Sequence, residues 1–390
     1  MRRSRIGSVS LMLAVTLAAA ACGSSKKATT TTAAGGATTS AGAATTGGAA
    51  TTAGGTGTCK AGTVQAAALP DKGTVTGGAG KTVGLLFDVT GRGDKSFNDS
   101  AAAGLDKGKA DFGINTAEST PVSADGSDRP ERLKTIVTQG ANLVVGVGFL
   151  WADALTAGAD ANPKTSFAIV DSVVDKPNVA SLTFAEEQGS FLVGAAAACE
   201  SKGGKIGFVG GVENDLIKKF EAGFVAGVKQ VNPKATVEVK YITQPPDFSG
   251  FADAAKGKSI AAAMYSSGID VVYHAAGASG TGVFEAAKES GKKPGEVWAI
   301  GVDSDQYLTA APDVQPYILT SMLKRVDIAV YQTIKAFVGG TFKSGNEIFD
   351  LKSNGIGYSG SNSAINSVAG TIEDLKQQII SGKITVPTKP

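Results

Sequence analysis

From about residue 81 onward, short runs of Val, Ile, Leu and Phe alternate with longer stretches of helical periodicity, and this alternation is the strongest constraint on the fold. The strand candidates are Val83–Phe87, Leu143–Val147, Phe167–Val170, Val179–Leu182, Ile206–Val209, Val237–Ile242, Val271–Tyr273, Val297–Val302 and Tyr317–Met322. Helical patterns lie between them at Arg129–Gln139, Glu186–Cys199, Val212–Val231, Ala252–Ser267 and Ser279–Ser290, and a last amphipathic helix covers Ile372–Ile380. Continuous apolar strands separated by helices predict α/β architecture, with parallel sheets covered on both faces. Nine or ten strands over roughly 300 residues suit two doubly wound lobes better than one sheet.

The first eighty residues have a different character. Arg2, Arg3 and Arg5 precede an apolar run from Leu11 to Ala21, the pattern of a secretory signal peptide over residues 1–21. Ala19-Ala20-Ala21-Cys22 resembles a lipobox with Ala in place of the usual Leu, so Cys22 is expected to carry lipid and to anchor the chain to the outer face of the cell membrane, with a plain secreted protein and a free Cys22 the alternative. Gly23 to Thr58 is almost wholly Thr, Ala, Gly and Ser, which offers no core, and residues 22–79 read as a tether. Removing the three leader arginines from 37 basic residues leaves 34 against 35 acidic ones. Near-neutral charge gives no basic field for nucleic acid, so no nucleic-acid partner is expected. Two further cysteines, Cys59 and Cys199, are a possible disulfide in an exported protein, with two free thiols the alternative.

Function is most legible in Val83 to Ser100. An apolar strand stops at Asp88, a Gly91–Gly93 turn follows, and Ser96 is an N-cap type of residue ahead of Phe97 and Asn98. Open parallel sheets bind ligands in the crevice at the carboxyl ends of their strands. A carboxylate, a ring and an amide gathered there form a recognition set for a sugar joined to a planar ring. A turn cap and a core ring would explain the same residues from this segment alone. The arrangement recurs at four other strand ends: Asp171 after Phe167–Val170, the glycine-rich Gly277–Gly282 after Val271–Tyr273, Asp303 and Asp305, and Lys324. Phe220 and Phe224, at core spacing with Leu216, read as packing; Trp151 and Trp298 read as structural, with Trp151 the nearer to a rim.

Other motifs fail on inspection. Gly78-Ala79-Gly80-Lys81-Thr82 lacks the first glycine of a phosphate-binding loop and runs into a strand, not a helix. Arg92-Gly93-Asp94 matches an adhesion tripeptide at a length where chance matches are common. His274 is the only histidine and has no metal-ligand spacing around it. No serine elbow with a partner base is present, and no catalytic residue, metal or cofactor is expected.

With those residues in view, the chain resembles the basic membrane protein family: lipoprotein substrate-binding components of ABC importers whose best-understood members bind purine nucleosides. The resemblance spans about Lys81 to Val386. It is carried by Asp88 with Asp94–Asn98, Gly146–Phe149, Gly277–Phe284, Gly301–Gln306, Thr320–Asp327 and Ile380–Val386. It implies a periplasmic-binding-protein type I fold, with two lobes joined by a hinge of three crossings. Boundaries of 80–182 plus about 321–340 for the N-terminal lobe, and 183–320 plus about 341–390 for the C-terminal lobe, follow. By resemblance, Phe97 and Phe251 sandwich a base, with Phe248 the competing aromatic. Asp88, Asn98 and Asp171 bond base edges or ribose, and Asp303 holds ribose hydroxyls. Gly277 admits the ligand, and Lys324 reaches the sugar or neighbouring oxygens. The expected partners of this non-enzymatic monomer are a nucleoside, an ABC permease and, through the anchor, a membrane. A receptor for a sugar or other small solute, a non-transport surface or adhesion lipoprotein, and a nucleoside hydrolase are the alternatives.

Overall fold

The computed structural model describes residues 59–64, 68–123 and 125–390; the leader, Cys22 and the tether up to residue 58 lie outside them. In chain order the strands are β1 (Thr82–Leu86), β2 (Asn115–Ser119), β3 (Leu143–Gly146), β4 (Ser166–Val170), β5 (Val179–Phe184), β6 (Lys205–Val212), β7 (Thr236–Thr243), β8 (Val271–Ala275), β9 (Trp298–Asp303), β10 (Ile318–Lys324), β11 (Gly345–Phe349) and β12 (Ile356–Tyr358). The helices are α1 (Phe97–Phe112), α2 (Arg129–Thr138), α3 (Ala152–Ala161), α4 (Glu186–Glu200), α5 (Asp215–Val231), α6 (Ala254–Ser266), α7 (Gly280–Glu289), α8 (Gln306–Thr309), α9 (Val326–Val338) and α10 (Ala369–Ile380). They build two six-stranded sheets, in the orders β11-β5-β4-β3-β1-β2 and β12-β10-β9-β8-β6-β7. All pairings are parallel except β12 with β10. The two lobes therefore repeat one topology.

Every strand expected from an apolar run is present. The three that were not expected, β2, β11 and β12, are edge strands: NTAES and GNEIF are largely polar, and IGY is three residues long. An edge strand needs only one neighbour and little apolar surface, so its pattern is faint. The central strands are buried throughout, as in LVVG of β3 and VVYHA of β8.

The chain passes between the lobes at β5 to α4, β10 to α9 and β11 to β12. The crossings are tied to one another. The Ala185 N–H donates to the Phe349 carbonyl (3.0 Å), the Arg325 N–H to Gly355 (2.9 Å), and the Leu351 N–H to the Gln188 side chain (3.1 Å). Phe184 and Phe349 stack at 5.2 Å between ring centres. Sheet membership moves two expected boundaries. All of β10 is in the second sheet, so the return to the first lobe starts at α9, which packs on α1 with Phe112 stacked on Tyr331. It ends with β11, a first-sheet strand that the expected boundaries had placed in the second lobe.

Ordered structure also begins earlier than expected. Cys59 is joined to Cys199 near the end of α4, with Cα atoms 6.0 Å apart. Lys60 pairs with Asp374, its N–H donates to Thr371 Oγ1 and its carbonyl accepts from the Thr371 N–H, while the Gly62 N–H donates to the Asn366 carbonyl. This short segment therefore lies on the second lobe. Farther on, the Asp71 carbonyl accepts from Lys335 of α9, and Gly78 packs on the Phe112 carbonyl, so residues 71–78 lie on the first lobe. The portion assigned to the tether between 59 and 79 thus includes a strap touching both lobes.

Candidate functional site

The carboxyl ends of both sheets face one common cavity. All eight residues singled out in the sequence line it: Asp88, Phe97, Asn98, Asp171, Phe251, Gly277, Asp303 and Lys324. The first four come from the first lobe and the others from the second. The placement follows from the topology. Asp88 lies just beyond β1 and Asp171 just beyond β4, while Asp303 ends β9 and Lys324 ends β10. Asp171 and Asp303 occupy equivalent places in the two repeated sheets, and both adopt left-handed backbone, at φ 67° and 64°. Non-glycine residues rarely take that conformation, and where they do it marks strand ends and functional turns.

The mouth of α1 is built differently from a simple serine cap. Ser96 occupies the cap position, but its hydroxyl reaches across the cleft to Asp303 Oδ2 (2.6 Å). Asp94 takes over the capping work, accepting from the backbone N–H groups of Ser96, Asn98 and Asp99. Asn98 supports the site from within. Its Oδ1 accepts from the Asp88 N–H, and its Nδ2 donates to Thr90 and Asp94. Both amide protons expected to read a base edge are thereby committed to the protein, leaving Oδ1 one further acceptor direction.

Lys324 is the central cation. Its side chain is 2% exposed, 2.5 Å from Asp171 and 3.7 Å from Glu186. It also lies over the rings of Phe97, Phe184 and Phe220, at 5.0, 5.1 and 5.6 Å. Glu186, which the sequence reading passed over, is buried and also pairs with Lys219 at 3.3 Å. Burial pushes the Asp88 and Asp303 carboxyls up to about 6, opposed by Arg129 at the first and Lys324 at the second. The same desolvation carries Glu186 to about 7, against the pull of Lys324. Asp171 Oδ1, buried and without a hydrogen-bond partner, is an acceptor at the cavity wall.

Aromatic and aliphatic groups form the rest of the wall. Phe97 begins α1, and Phe251 ends the 3-10 turn Ser249–Phe251. The Phe251 ring lies against Gly211, where a Cβ would come within 2.5 Å of it. Phe248 does not line the cavity; it meets Phe149 of the other lobe edge-on at 5.8 Å. Phe224 is core, as its spacing indicated, but Phe220 and Leu216 reach the cavity. One helical stripe can serve both core and cavity where a helix crosses a sheet end, and spacing alone does not separate the two. Trp151 is no rim residue: it is fully buried and donates to the Phe87 carbonyl at 3.0 Å. At Gly148, with φ 103°, a Cβ would sit 2.6 Å from Asp88 Oδ2, so only glycine leaves that carboxylate its place.

The lobes are closed on each other. Besides Ser96 to Asp303, Ser304 donates to the Ser96 carbonyl (2.9 Å) and Gln306 to that of Lys95 (3.1 Å). The discarded motifs also find structural partners. Lys81 donates to the carbonyls that end α9, and Arg92 binds Asp106 and Glu118. His274 is fully buried against Phe284, and burial holds its pKa down at about 3. Among the described residues no group of His, Cys, Asp or Glu is arranged to hold a metal, and no helix is long and apolar enough to cross a membrane.

Residues 81–390 match the family model described as Bmp, ABC transporter substrate-binding protein PnrA-like. The chain belongs to the Bmp family. A CD4+ T-cell-stimulating antigen of Listeria monocytogenes is 42% identical over 326 residues, covering 79% of this chain and 88% of that protein. An ABC transporter nucleoside-binding protein, BmpA, of Lactococcus lactis subsp. cremoris is 39% identical over 317 residues, covering 78% and 88%. Among solved structures, an ABC transporter solute-binding protein from Aeropyrum pernix K1 matches with a TM-score of 0.68 at 31% identity, over 79% of this chain and 93% of that one. The Bmp fold seen here is accordingly the periplasmic-binding-protein type I fold, and the family resemblance read from the motifs is correct.

Proposed function

We propose that this Bmp-family protein captures a nucleoside, with a purine base, between its lobes and hands it to an ABC permease, acting on the outer face of the membrane to which Cys22 anchors it. One observation carries the reading: Phe97 and Phe251, from opposite lobes, line a single cavity with the carboxylates Asp88, Asp171 and Asp303 and the buried Lys324. Rings from two sides suit a flat base, and Asp88, Asp171 and Asp303 suit hydroxyl and N–H donors. Stacking contributes about 1–3 kcal/mol per base. Each hydrogen bond to a carboxylate adds roughly 1.5–3 kcal/mol. After association costs, that combination supports micromolar or tighter binding. The name of the Lactococcus relative agrees with this reading.

The test is a thermal-shift panel of nucleosides, free bases and free sugars against residues 59–390. Ligand at a hundredfold excess over Kd should add roughly 2.7 kcal/mol of stability. A shift with ribose or another sugar, and none with any nucleoside, would transfer the protein to the sugar-receptor class. Release of free base on incubation would indicate a hydrolase instead.

A further inference from the structure

Behind Asp88 lies a second cation, Arg129, that no motif singled out. It is the first residue of α2 and 2% exposed. Its Nη2 contacts Asp88 Oδ1 at 3.3 Å, and the guanidinium carbon lies 5.5 Å from the Trp151 ring centre. Nε has no hydrogen-bond partner. A Cβ on Gly126 would come within 2.0 Å of Nη1, so the turn before α2 leaves room for the guanidinium and little more. A buried arginine with so few bonds is costly as a structural element alone.

The two oxygens of Asp88 are used differently. Oδ1 accepts from the Val89 N–H (2.9 Å) and from Arg129. Oδ2 lies beside Gly148 at the cavity, with no protein donor among the described residues. Lys324, the other cation of the site, is committed to Asp171 and Glu186.

We infer that Arg129 is a positioning residue for the binding site, holding Oδ1 of Asp88 so that Oδ2 faces the cavity as a charged acceptor. The groups facing Asp88 are Arg129 from α2, Asp171 beyond β4, the Val89 N–H of its own loop, and Asn98 at the start of α1. Burial and Asp171 favour the protonated acid; Arg129 and the Val89 N–H oppose them. Without Arg129, Asp88 would be protonated at neutral pH and would offer a donor where the ligand's hydroxyl or N–H needs an acceptor.

The effect on affinity rests on the nucleoside reading above; the effect on Asp88 does not. Carboxyl ¹³C NMR of Asp-labelled protein, with Asp88→Asn to identify the resonance, follows the titration of Asp88 directly. Arg129→Met should raise its midpoint by about two pH units, a hundredfold gain in proton affinity, while Arg129→Lys should stay near the parent. Inosine and adenosine titrated by calorimetry should bind Arg129→Met at least tenfold more weakly at pH 7, with most of the loss recovered at pH 8.5. An unchanged Asp88 midpoint in folded Arg129→Met, or an affinity loss equal at every pH, would overturn the inference. If Arg129→Met does not fold, Gly126→Ala displaces the guanidinium without deleting it, and the same midpoint comparison decides. Should the parent bind neither nucleoside, the proposed function falls, and the titration still tests Arg129.

Discussion

Replacing Phe97 or Phe251 with leucine removes a flat face from the cavity while keeping most of its apolar volume. Both rings are only partly buried, so the substitution leaves the lobe cores intact. Neither lies among the fully buried side chains that hold the sheets. The loss should then fall on ligand stacking, about 1–3 kcal/mol per ring. That corresponds to a rise in Kd of roughly 5- to 150-fold for each variant. Because the rings come from different lobes and would meet opposite faces of the base, the double variant should lose near the sum. Isothermal titration with a purine nucleoside at fixed pH and salt measures this, with melting temperature as the control. Phe224→Ala is the contrasting variant: it opens the core beside Phe208 and Tyr273, costing about 3–5 kcal/mol of stability. Its affinity per folded molecule should not change. A nucleoside that binds both leucine variants within twofold of the parent would refute the two-ring clamp.

The titration of the site gives further expectations. Asp88 and Asp303 lie near 6, so a ligand whose hydroxyls donate to their ionised forms should bind more tightly as pH rises through 6. Between pH 5 and 7 the gain should be roughly tenfold per group, measured by calorimetry in matched buffers. Stability without ligand runs the opposite way. Folded pKa values raised above the unfolded ones favour the protonated native state, so melting temperature should fall between about pH 4 and 7 as Asp88, Asp303 and Glu186 ionise. Lys324→Met leaves Asp171 and Glu186 without their shared cation and should cost about 3–5 kcal/mol at pH 7. Denaturant titration should show that deficit shrinking at pH 5, where Glu186 is neutral. Cys199→Ala opens a loop of 140 residues and should lower stability by about 2–5 kcal/mol, with protease cutting near Lys60 as a second readout.

The fold was legible because central parallel strands must be apolar along their whole length, and these are. Edge strands such as β2 and β11 escaped because one neighbour and one exposed side leave almost any composition possible. The strand-end residues stood out because the same step from apolar run to charged side chain recurs, at Asp88, Asp171, Asp303 and Lys324, where a turn cap would account for any one of them alone. Residues that act on those groups from elsewhere did not stand out. Arg129 and Glu186 only open helical stretches in the sequence, and Phe220 reads there as a core ring. Their roles depend on which helix face meets the cleft, which only the packing of the lobes decides. The hydroxyl of Ser96 is a similar case: its position was readable as a cap, but its partner lies 207 residues away on the other lobe.

The covalent link at Cys59 also determines where the molecule is held. Whatever holds residue 58 grips the second lobe through Cys199, before the chain has reached the sheet in which β1 lies. A tug from that side is borne by α4 through Cys199 and by α10 through Thr371 and Asp374, while the half carrying Asp88 and Phe97 is spared it. With the sulfur bridge cut, the same tug falls on the few bonds that Lys60 and Gly62 make to the second lobe.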